Sequence, residues 1–491
     1  MPKKKVFIIG SGIAGFCAGC YLQMNGYETE IFESSGIPGS SNPVWKRDGF
    51  TFDGSIYPFN GPNPLIKFDP YWNEVIALKN LEFYYHQELC RFEDAQGNVI
   101  RLFTNPNRLQ KELTAIAPED TKFITRFTNG IKILSVLRYT VSKRRRSGNI
   151  FKNHLIRWLI MINLFRWRKP MKTWMGKCKN PLLKWFFSQD FFTHFPTYFF
   201  LITLGYLHTR NAGYPIGGLL PFTRAIEKKY LDLKGKIHHN TGVTKINTQN
   251  NQTVGITLEN GETRNDADYL ISAADEYYTL FKLLEGKYLD QKTKKLYTKP
   301  ASPASTLLVF LGISRTFENE PPQIELTINQ PLVLDGQSQL NTIPVTIYNF
   351  DPTLAGPGNT CIRVILRTND APYWNNLRKN NKLKYEEEKA RISKEVIDIL
   401  EGHFGNIKEH IKAADIATPA TLHRYYNNWH GNIPNWELAP KTVRRYIQIQ
   451  LPGLNNFYFI GQRMAPGSCL LSARDAARSI CKRDQKKFQV N

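Results

Sequence analysis

An α/β fold is predicted for this 491-residue chain by three features of its sequence. An apolar strand at residues 6–9 runs directly into a glycine-spaced turn and an apolar-faced helix. Sheet-and-turn patterns of a similar kind return at 213–275 and again at 455–480. A basic, aromatic-rich segment without acidic residues lies between the first two regions. Together these features predict a discontinuous Rossmann-like domain, an α+β substrate domain and a basic, interfacial helical segment.

The first element is a strand–helix–strand unit that is typical of dinucleotide binding. After the strand Val6 to Ile9, the glycines Gly10, Gly12 and Gly15 have the spacing G-x-G-x-x-G. The first glycine allows a tight turn, the second lets the backbone approach a pyrophosphate, and the third lets helix and strand pack closely. The N-terminus of the helix offers free N–H groups to phosphate.

An acid follows at the end of the second strand. The strand Glu28 to Phe32 is preceded by an Asn25-Gly26 stop and ends in Glu33, about 20 residues after the glycines, as the dinucleotide fingerprint requires. A carboxylate at this place accepts hydrogen bonds from a ribose diol. An acid rather than a basic residue favours FAD or NAD over NADP.

The seven cysteines do not indicate a redox or metal site. Cys17 and Cys20 form a C-x-x-C, but they lie inside the first predicted helix, where packing against the sheet is the favoured interpretation. The N-terminal KKK followed by an apolar run superficially resembles a signal peptide, although the nucleotide fold explains the same residues better. No segment reaches the roughly 18 apolar residues of a spanning helix. We therefore expect a reducing, cytoplasmic location.

The charge distribution is the second strong signal. The formal net charge is +23, and 17 Lys or Arg residues, without one acid, occur between Asp120 and Asp190. The run 143–146 reads KRRR. A field of one sign and this size attracts anionic lipid, nucleic acid or an anionic substrate.

The segment 151–168, FKNHLIRWLIMINLFRWR, mixes apolar and aromatic residues with arginines. Its composition suits a helix that lies in a membrane interface, with Trp and Arg at the headgroup level. A solvated basic helix with an apolar core face is the plainer alternative, and stacking on single-stranded nucleic acid is a third. The apolar neighbour FFTHFPTYFFLITLGYL favours an apolar ligand over nucleic acid. We expect a membrane-facing segment at about 121–207, on the inner face of a membrane.

The rest of the chain alternates between the two predicted domains. Short strands are expected at 62–117, a hairpin at Asn260-Gly261, long strands at 305–313 and 362–368, and a charged helix from about Lys384 to Phe404. The final block is a strand, a glycine turn and a helix. We assign residues 1–80, 211–290 and 445–491 to the nucleotide domain, and 81–210 and 291–444 to the substrate domain.

The ordered set of motifs resembles the flavin-dependent family of bacterial phytoene desaturases, carotenoid isomerases and retinol saturase. The residues that carry the resemblance are GSGIAG with Glu33, PGSS, DGFTFD, YPIGGLLPFTRAIE, the region from GVTKI to NGETRNDADYLISAAD, and FYFIGQRMAPGSCLLSARDAA. They follow the family order and spread over the whole chain. The chain departs from the family at Ser40-Ser41 after PG, at Gln462, where an Asp is usual, and at Ser55-Ile56-Tyr57, where relatives often have G-I-H.

The resemblance implies a tightly held FAD, with its pyrophosphate at the glycine turn and its adenosine ribose on Glu33. It implies that the backbone of Val243 meets the adenine and that the last helix, near Leu470, points its N-terminus at the flavin. A helix N-terminus stabilises the negative charge of a reduced flavin. The complete set of expected FAD contacts is Gly10, Ser11, Gly12, Ala14, Gly15, Glu33, Ser41, Val243, Gly461, Gln462 and Leu470.

The expected chemistry is hydride transfer between the flavin and a carbon of the substrate, since the sequence has no catalytic triad, metal-ligand cluster or obvious carboxylate pair. Tyr57 and Arg463 are the candidate catalytic residues, although packing is the favoured role for Tyr57. The predicted function is desaturation, saturation or isomerisation of a long apolar polyene, isoprenoid or lipid at a membrane surface. The alternatives are an amine-oxidase-like flavoenzyme and a non-catalytic FAD-binding, lipid-binding protein. The oligomeric state is left open.

Overall fold

The computed structural model describes residues 2–37, 39, 44–55, 59–60, 70–135, 150–193, 196–298, 305–431, 450–461 and 466–490. The expected site residues Ser41, Tyr57, Gln462 and Arg463 lie outside these ranges. None of the helices in the described ranges is long and apolar enough to cross a membrane.

The strands and helices are numbered in chain order. The strands are β1 Lys5–Ile9, β2 Glu28–Phe32, β3 Val44–Arg47, β4 Phe50–Asp53, β5 Phe59–Asn60, β6 Phe83–Tyr84, β7 Glu88–Glu93, β8 Val99–Phe103, β9 Ala212–Pro215, β10 Lys236–His238, β11 Val243–Gln249, β12 Gln252–Leu258, β13 Thr263–Arg264, β14 Tyr269–Ser272, β15 Ser305–Ile313, β16 Gln323–Asp335, β17 Ser338–Ile347, β18 Thr360–Thr368, β19 Ile411–Ala417 and β20 Phe457–Phe459. The helices are α1 Ile13–Met24, α2 Pro70–Val75, α3 Pro106–Ile116, α4 Thr121–Leu134, α5 Ile150–Arg166, α6 Lys172–Met175, α7 Pro181–Ser188, α8 Asp190–Thr193, α9 Thr197–His208, α10 Leu219–Asp232, α11 Gln291–Thr298, α12 Ala371–Asn380, α13 Lys382–Phe404, α14 Pro419–Tyr426 and α15 Pro466–Arg483.

A parallel sheet in the strand order β10-β2-β1-β14-β20 forms the centre of the first layered unit. Helices α1, α10 and α15 pack on one face through side chains such as Ile8 and Ile271. The antiparallel strands β11-β12-β13 and a π-helix at Tyr278–Leu283 cover the other face, against Phe7 and Phe32. Apolar residues alternate between the two faces, as they must in a strand that is buried on both sides.

A mixed sheet in the order β19-β15-β18-β17-β16-β7-β8 forms the second unit. Its pairs are antiparallel except for β16 with β7, which is parallel. Alternate residues of β15, such as Val309 and Leu311, pack against helices α12 and α13. The intervening residues Leu308 and Phe310 face the β3–β4 hairpin on the opposite side.

Helices α3, α4, α5, α7 and α9 form a cap whose core is strongly aromatic. Phe92 of β7 lies against Phe186 and Phe192, with ring centroids 4.8 Å and 5.5 Å away. Trp167 is fully buried, and its ring centroid lies 6.1 Å from that of Phe127. The high aromatic content of the sequence is therefore used, in part, to fill this cap.

Most of the expected elements are present. The hairpin at Asn260-Gly261 joins β12 to β13, and the long strands and the charged helix start and end within two residues of the expected positions. All strands of the parallel sheet come from the segments assigned to the nucleotide domain, while the domain boundaries themselves stay a prediction.

Some elements were not predicted from the sequence. The region 62–117 was expected to hold short strands, yet α2 occupies Pro70–Val75 and α3 occupies Pro106–Ile116. The Asn105 side chain caps it by accepting from the N–H groups of Asn107 and Arg108, and Pro106 is its first residue. That pair is an N-terminal helix signal. The loop after Glu33 also contains β3, which pairs with β4 across an Asp48-Gly49 turn.

Candidate functional site

The glycine turn lies at the carboxyl end of the parallel sheet. Gly10 has a φ of +96°, a backbone conformation that favours glycine, and its N–H donates to the carbonyl of Phe32 at 2.9 Å. A Cβ atom on Gly15 would lie 2.0 Å from the carbonyl oxygen of Gly10. The first and third glycines of the motif are thus required by the backbone itself.

Helix α1 presents an open N-terminus at this turn. Its N-cap is Gly12, and no described side chain caps it or places an acid in its first turn. The first N–H groups of the helix therefore remain free for an anion, and the helix dipole favours negative charge there. Ala14, in the first turn, is small and buried.

Glu33 is hydrogen-bonded to the glycine turn within the protein itself. Its Oε2 atom accepts from the backbone N–H of Ser11 at 2.9 Å and from the Ser11 hydroxyl at 2.8 Å. Its Oε1 atom accepts from the N–H of Ser35 at 2.9 Å. Both Ser11 and Glu33 are buried. The carboxylate is therefore fixed at the sheet edge, at the place that the dinucleotide fingerprint gives to the ribose-binding acid.

Val243 begins β11 and is buried at the same edge of the sheet. The hydroxyl of Tyr278, in the π-helix, donates to its carbonyl oxygen at 3.1 Å. Gly242, just before it, is packed so tightly that a Cβ atom would lie 2.1 Å from the Oε1 atom of Glu259. The backbone of Val243 is thus held in place by its neighbours on both sides.

Gly461 follows β20 and reaches the same site. Its φ is +132°, its N–H donates to the Ser472 hydroxyl at 3.2 Å, and a Cβ atom on it would lie 3.9 Å from the carbonyl oxygen of Ala273. Helix α15 begins at Pro466, as expected. The side chain of Leu470 is buried in the core on α1, so only its backbone could face a cofactor.

These residues fit the adenosine and diphosphate half of a dinucleotide. The cradle consists of a turn that admits only glycine, an uncapped helix N-terminus and a fixed carboxylate. Each part matches one group of the ligand, namely the pyrophosphate for the first two and the ribose diol for the third.

Asp275 was not recognised in the sequence as a site residue. It lies just beyond β14, and its Oδ1 atom accepts from the N–H of Tyr278 at 2.9 Å. Its Oδ2 atom accepts from the N–H of Trp429 at 3.4 Å, which links the parallel sheet to the far end of the substrate unit. Burial raises the pKa of this carboxyl to about 6. The signal for it in the sequence is an acid directly after β14, the strand that pairs with β1.

Arg363 was also missed. It lies on β18 and is buried, with its Nη1 atom donating to the carbonyl oxygens of Asp53 at 3.1 Å and Ser55 at 2.6 Å. Its guanidinium lies 5.6 Å from the ring centroid of Tyr348. Burial raises the pKa of the Asp53 carboxyl, and the nearby Arg363 cation opposes that rise. An arginine in the middle of the apolar strand IRVILRT was the sequence signal.

The two glycines of the YPIGG motif lie between two buried carboxylates. The N–H of Gly217 donates to Asp351 Oδ2 at 2.8 Å. Gly218 has a φ of +78°, and a Cβ atom on it would lie 1.9 Å from Asp53 Oδ2. Asp53 comes from the β3–β4 hairpin and Asp351 from the loop after β17, so this turn joins the two sheets where α10 begins.

The layered fold and the glycine–carboxylate cradle define a dinucleotide-dependent oxidoreductase of the flavoprotein class, with FAD as its cofactor. The model of the flavin containing amine oxidoreductase family matches residues 13–481, and the chain belongs to that family. The predicted α/β fold and FAD cofactor are confirmed.

Two curated relatives show which branch of the family is similar. Prolycopene isomerase 1, chloroplastic, of an Oncidium hybrid cultivar is 24% identical over 95% of this chain and 81% of its own length. The 4,4'-diapophytoene desaturase (4,4'-diapolycopene-forming) of Methylomonas sp is 23% identical over 99% of this chain and 96% of its own length. The predicted resemblance to phytoene desaturases and carotenoid isomerases is confirmed.

Among solved structures, cyclohexylamine oxidase from Brevibacterium oxydans IH-35A superposes with a TM-score of 0.57 at 15% identity, over 99% of this chain and 100% of that one. A likeness at this identity concerns the fold alone. The individual FAD contacts and the roles of Tyr57 and Arg463 stay predictions.

Proposed function

We propose that this FAD-dependent oxidoreductase changes carbon–carbon bonds of a long apolar polyene or isoprenoid, which it takes from a membrane surface. The reaction is a desaturation, a saturation or a cis–trans isomerisation. The names of the similar relatives, a prolycopene isomerase and a diapophytoene desaturase, support this class of substrate.

The observation that carries the proposal is an apolar ridge on helix α5. The ridge consists of Leu155, Trp158, Met161 and Phe165, which are 46%, 60%, 63% and 66% exposed. Steps of three and four residues place them on one face of the helix. No other helix among the described residues carries more than one exposed large apolar side chain.

The opposite face of α5 is an ordinary core face. Ile160 and Asn163 are buried there, and Trp167 follows directly in the aromatic cap. The helix therefore has two apolar sides, one packed and one presented to its surroundings. A contiguous exposed apolar surface of this kind is typical of a membrane or partner contact.

Basic side chains flank the ridge. The guanidinium of Arg168 lies 3.8 Å from the ring centroid of Phe165, and Arg166, Lys169 and Lys172 are exposed nearby. An apolar ridge with cations beside it and no acid between Asp120 and Asp190 complements an anionic bilayer. We infer a peripheral protein on the inner, cytoplasmic face of a membrane, which also suits seven free, buried cysteines.

The chain's own residues have a limited chemical task in this proposal. When bound, FAD supplies hydride transfer at its N5 atom. The glycine turn and Glu33 hold the nucleotide half, and the buried Arg363 fixes the backbone of Asp53 and Ser55 where β4 leaves its hairpin. The protein contributes to such a reaction mainly by positioning the substrate against the cofactor and by excluding water.

The test has two parts. Organic extraction of the purified protein, followed by mass spectrometry, identifies the flavin and any co-purified lipid. Polyene substrates are then offered anaerobically in phosphatidylcholine vesicles with or without phosphatidylglycerol, to oxidised and to dithionite-reduced protein. We expect product formation that requires vesicles. A net change in flavin absorbance accompanies it if the reaction is a desaturation or a saturation, and is absent if the reaction is an isomerisation.

Two outcomes would contradict the proposal. Reduction of the flavin by soluble amines, with hydrogen peroxide released in air and no dependence on vesicles, would assign an amine oxidase. A flavin that no lipid extract reduces, and that catalyses no isomerisation when reduced, would assign a non-catalytic binding protein.

A further inference from the structure

The C-terminal tail folds back beside helix α15 and is anchored there. Asp484 accepts from the hydroxyls of Tyr27 at 2.9 Å and Tyr269 at 2.6 Å, and it pairs with Lys4. Asn25 and Gln489 exchange two hydrogen bonds, Asn25 Nδ2 to the Gln489 carbonyl at 2.9 Å and the Gln489 N–H to Asn25 Oδ1 at 2.8 Å. These bonds hold residues 484–489 in a defined position.

The reversal at the end of α15 places a polar side chain where glycine is usual. Gln485 has a φ of +56°. The N–H of Lys486 donates to the carbonyl oxygen of Cys481 at 2.8 Å. The N–H of Gln485 donates to the carbonyl oxygen of Lys482 at 3.1 Å. This is the Schellman arrangement, whose left-handed position strongly prefers glycine. Gln485 lines a surface cavity.

That cavity, the C-terminal basic cavity, has a volume of about 680 Å³ and lies between α15 and the tail. Four cations line it, Arg478, Lys482, Lys486 and Lys487, with Asp475 as the single lining acid. Among the described residues, none of the four cations forms an ion pair. The Lys486 ammonium is held 4.2 Å from the ring centroid of Tyr27.

We propose that the C-terminal basic cavity binds a ligand that carries phosphate groups. Ammonium and guanidinium groups around a concave surface recognise phosphate oxygens, and Gln485 lines the same cavity. The site is separate from the glycine turn, because its lining residues on α15 begin at Asp475, about 14 Å along the helix axis from Pro466. The proposal is independent of the identity of the redox substrate.

The same chemistry is offered by soluble polyphosphates and by phospholipid headgroups, and the experiment separates them. Full-length, FAD-loaded protein is titrated with inorganic pyrophosphate by calorimetry at low ionic strength. In parallel, it is sedimented with phosphatidylcholine vesicles with and without phosphatidylglycerol. The test variant is Arg478→Gln with Lys482→Gln, and the matched control is Lys379→Gln with Lys412→Gln, which are exposed and unpaired in the described structure.

We expect the test variant to weaken binding of pyrophosphate, or of anionic vesicles, at least tenfold, while the control binds as the wild type does. Binding should also weaken as salt is added. Loss of pyrophosphate binding assigns a soluble ligand, and loss of vesicle binding alone assigns a headgroup.

A simpler role for these cations is to complement the negative end of the α15 dipole. In that case the test variant would melt at a lower temperature, yet it would bind both probes as tightly as the wild type. That result overturns the proposal, as does a wild-type protein that binds neither probe. The FAD content of each variant shows that it is folded.

Discussion

Glu33 and Ser11 are joined by two hydrogen bonds that end on one carboxylate oxygen, at 2.9 Å from the backbone N–H and 2.8 Å from the hydroxyl. The bonds tie the end of β2 to the turn after β1. The carboxylate that is expected to bind the ribose is therefore oriented by the turn that is expected to hold the pyrophosphate, so the protein itself aligns the two halves of the predicted nucleotide site.

Glu33→Gln is expected to weaken FAD binding by roughly 10- to 100-fold, since a hydrogen bond to a charged group contributes about 1.5–3 kcal/mol. The amide also turns a donor toward the Ser11 N–H in one of its two orientations. The measurement is the affinity of the apoprotein for FAD, from the change in flavin fluorescence on reconstitution.

Glu28→Gln is the matched control, because Glu28 lies on the same strand but pairs with Lys236 at the surface. Its FAD affinity should equal that of the wild type. An unchanged affinity in the Glu33 variant would show that the carboxylate does not contact the ribose.

The nucleotide site could largely be predicted from sequence because its parts are local. The spacing of Gly10, Gly12 and Gly15 reflects one turn and one helix, and Glu33 lies one strand further on. Each is required by backbone geometry that spans few residues. The long apolar strands and the helix Lys382–Phe404 were predictable for the same reason.

The contacts that join the two sheets could not be predicted. Arg363 reaches Asp53 and Ser55 across 310 and 308 positions, and Asp275 reaches Trp429 across 154. Sequence pattern places such residues on strands but does not say which strands meet. The helix Pro106–Ile116 is different, because the Asn105-Pro106 pair is a helix N-terminus signal from which this helix could have been predicted.

Gly15→Ala is expected to abolish FAD binding or folding, because its Cβ atom would lie 2.0 Å from the backbone oxygen of Gly10. The Gly10 backbone and the Cβ atom of Ala273 surround this position, and neither is a flexible group that could move. Gly402→Ala is the control, since a Cβ atom there meets nothing within 4 Å. Gly402 lies in the last turn of α13, where the change should stabilise the protein by at most about 0.5–1 kcal/mol. Thermal unfolding and flavin content, measured together, distinguish the two variants.

Arg363→Met is expected to lower the free energy of unfolding by about 3–5 kcal/mol, because it leaves two carbonyl groups and the buried Asp53 without their cation. Arg363→Lys, which keeps the charge, should lose less. Denaturant unfolding at neutral pH gives the values.

Arg315→Met serves as the comparison, since Arg315 also donates to two carbonyl oxygens, those of Phe404 and Gly405, but at the surface. It should lose about 1 kcal/mol. If both variants lost the same amount, burial of Arg363 would have no special energetic role. Asp53→Asn combined with Arg363→Met should lose less than the sum of the single changes.

The stability of the protein should depend on the ionisation of Glu325. Burial raises the pKa of this carboxyl from its usual value near 4.5 to about 7, while Gln323 Nε2 donates to its Oε1 atom at 3.0 Å. Between those two pH values the folded protein binds more protons than the unfolded chain, so the free energy of unfolding falls as pH rises. The stabilisation of the folded protein by the bound proton is fully present below about pH 4.5 and is lost above about pH 7.

Glu325→Gln should remove this dependence of the unfolding free energy on pH. Above pH 7 the variant should be more stable than the wild type by about 2–4 kcal/mol, because a difference of one pKa unit corresponds to about 1.36 kcal/mol. The amide keeps the oxygen that accepts from Gln323. Urea unfolding of both proteins at a series of pH values gives the difference directly. Parallel curves for the two proteins would contradict the prediction.

Trp158→Ser with Phe165→Ser should reduce binding to anionic vesicles by at least tenfold without lowering the melting temperature. Both side chains are exposed, at 60% and 66%, so their removal takes little from the core. Burying such a side chain in a bilayer interface is worth about 1.5–3 kcal/mol. Sedimentation with phosphatidylcholine vesicles, with and without phosphatidylglycerol, measures the change.

Leu383→Ser provides the control for the apolar ridge. Leu383 is 74% exposed at the start of α13, where it stands alone among charged residues. Its loss should leave vesicle binding unchanged, because one isolated apolar side chain does not anchor a protein. If both variants bound equally well, the ridge on α5 would be a contact for another protein surface, and the membrane would be reached by some other part of the chain.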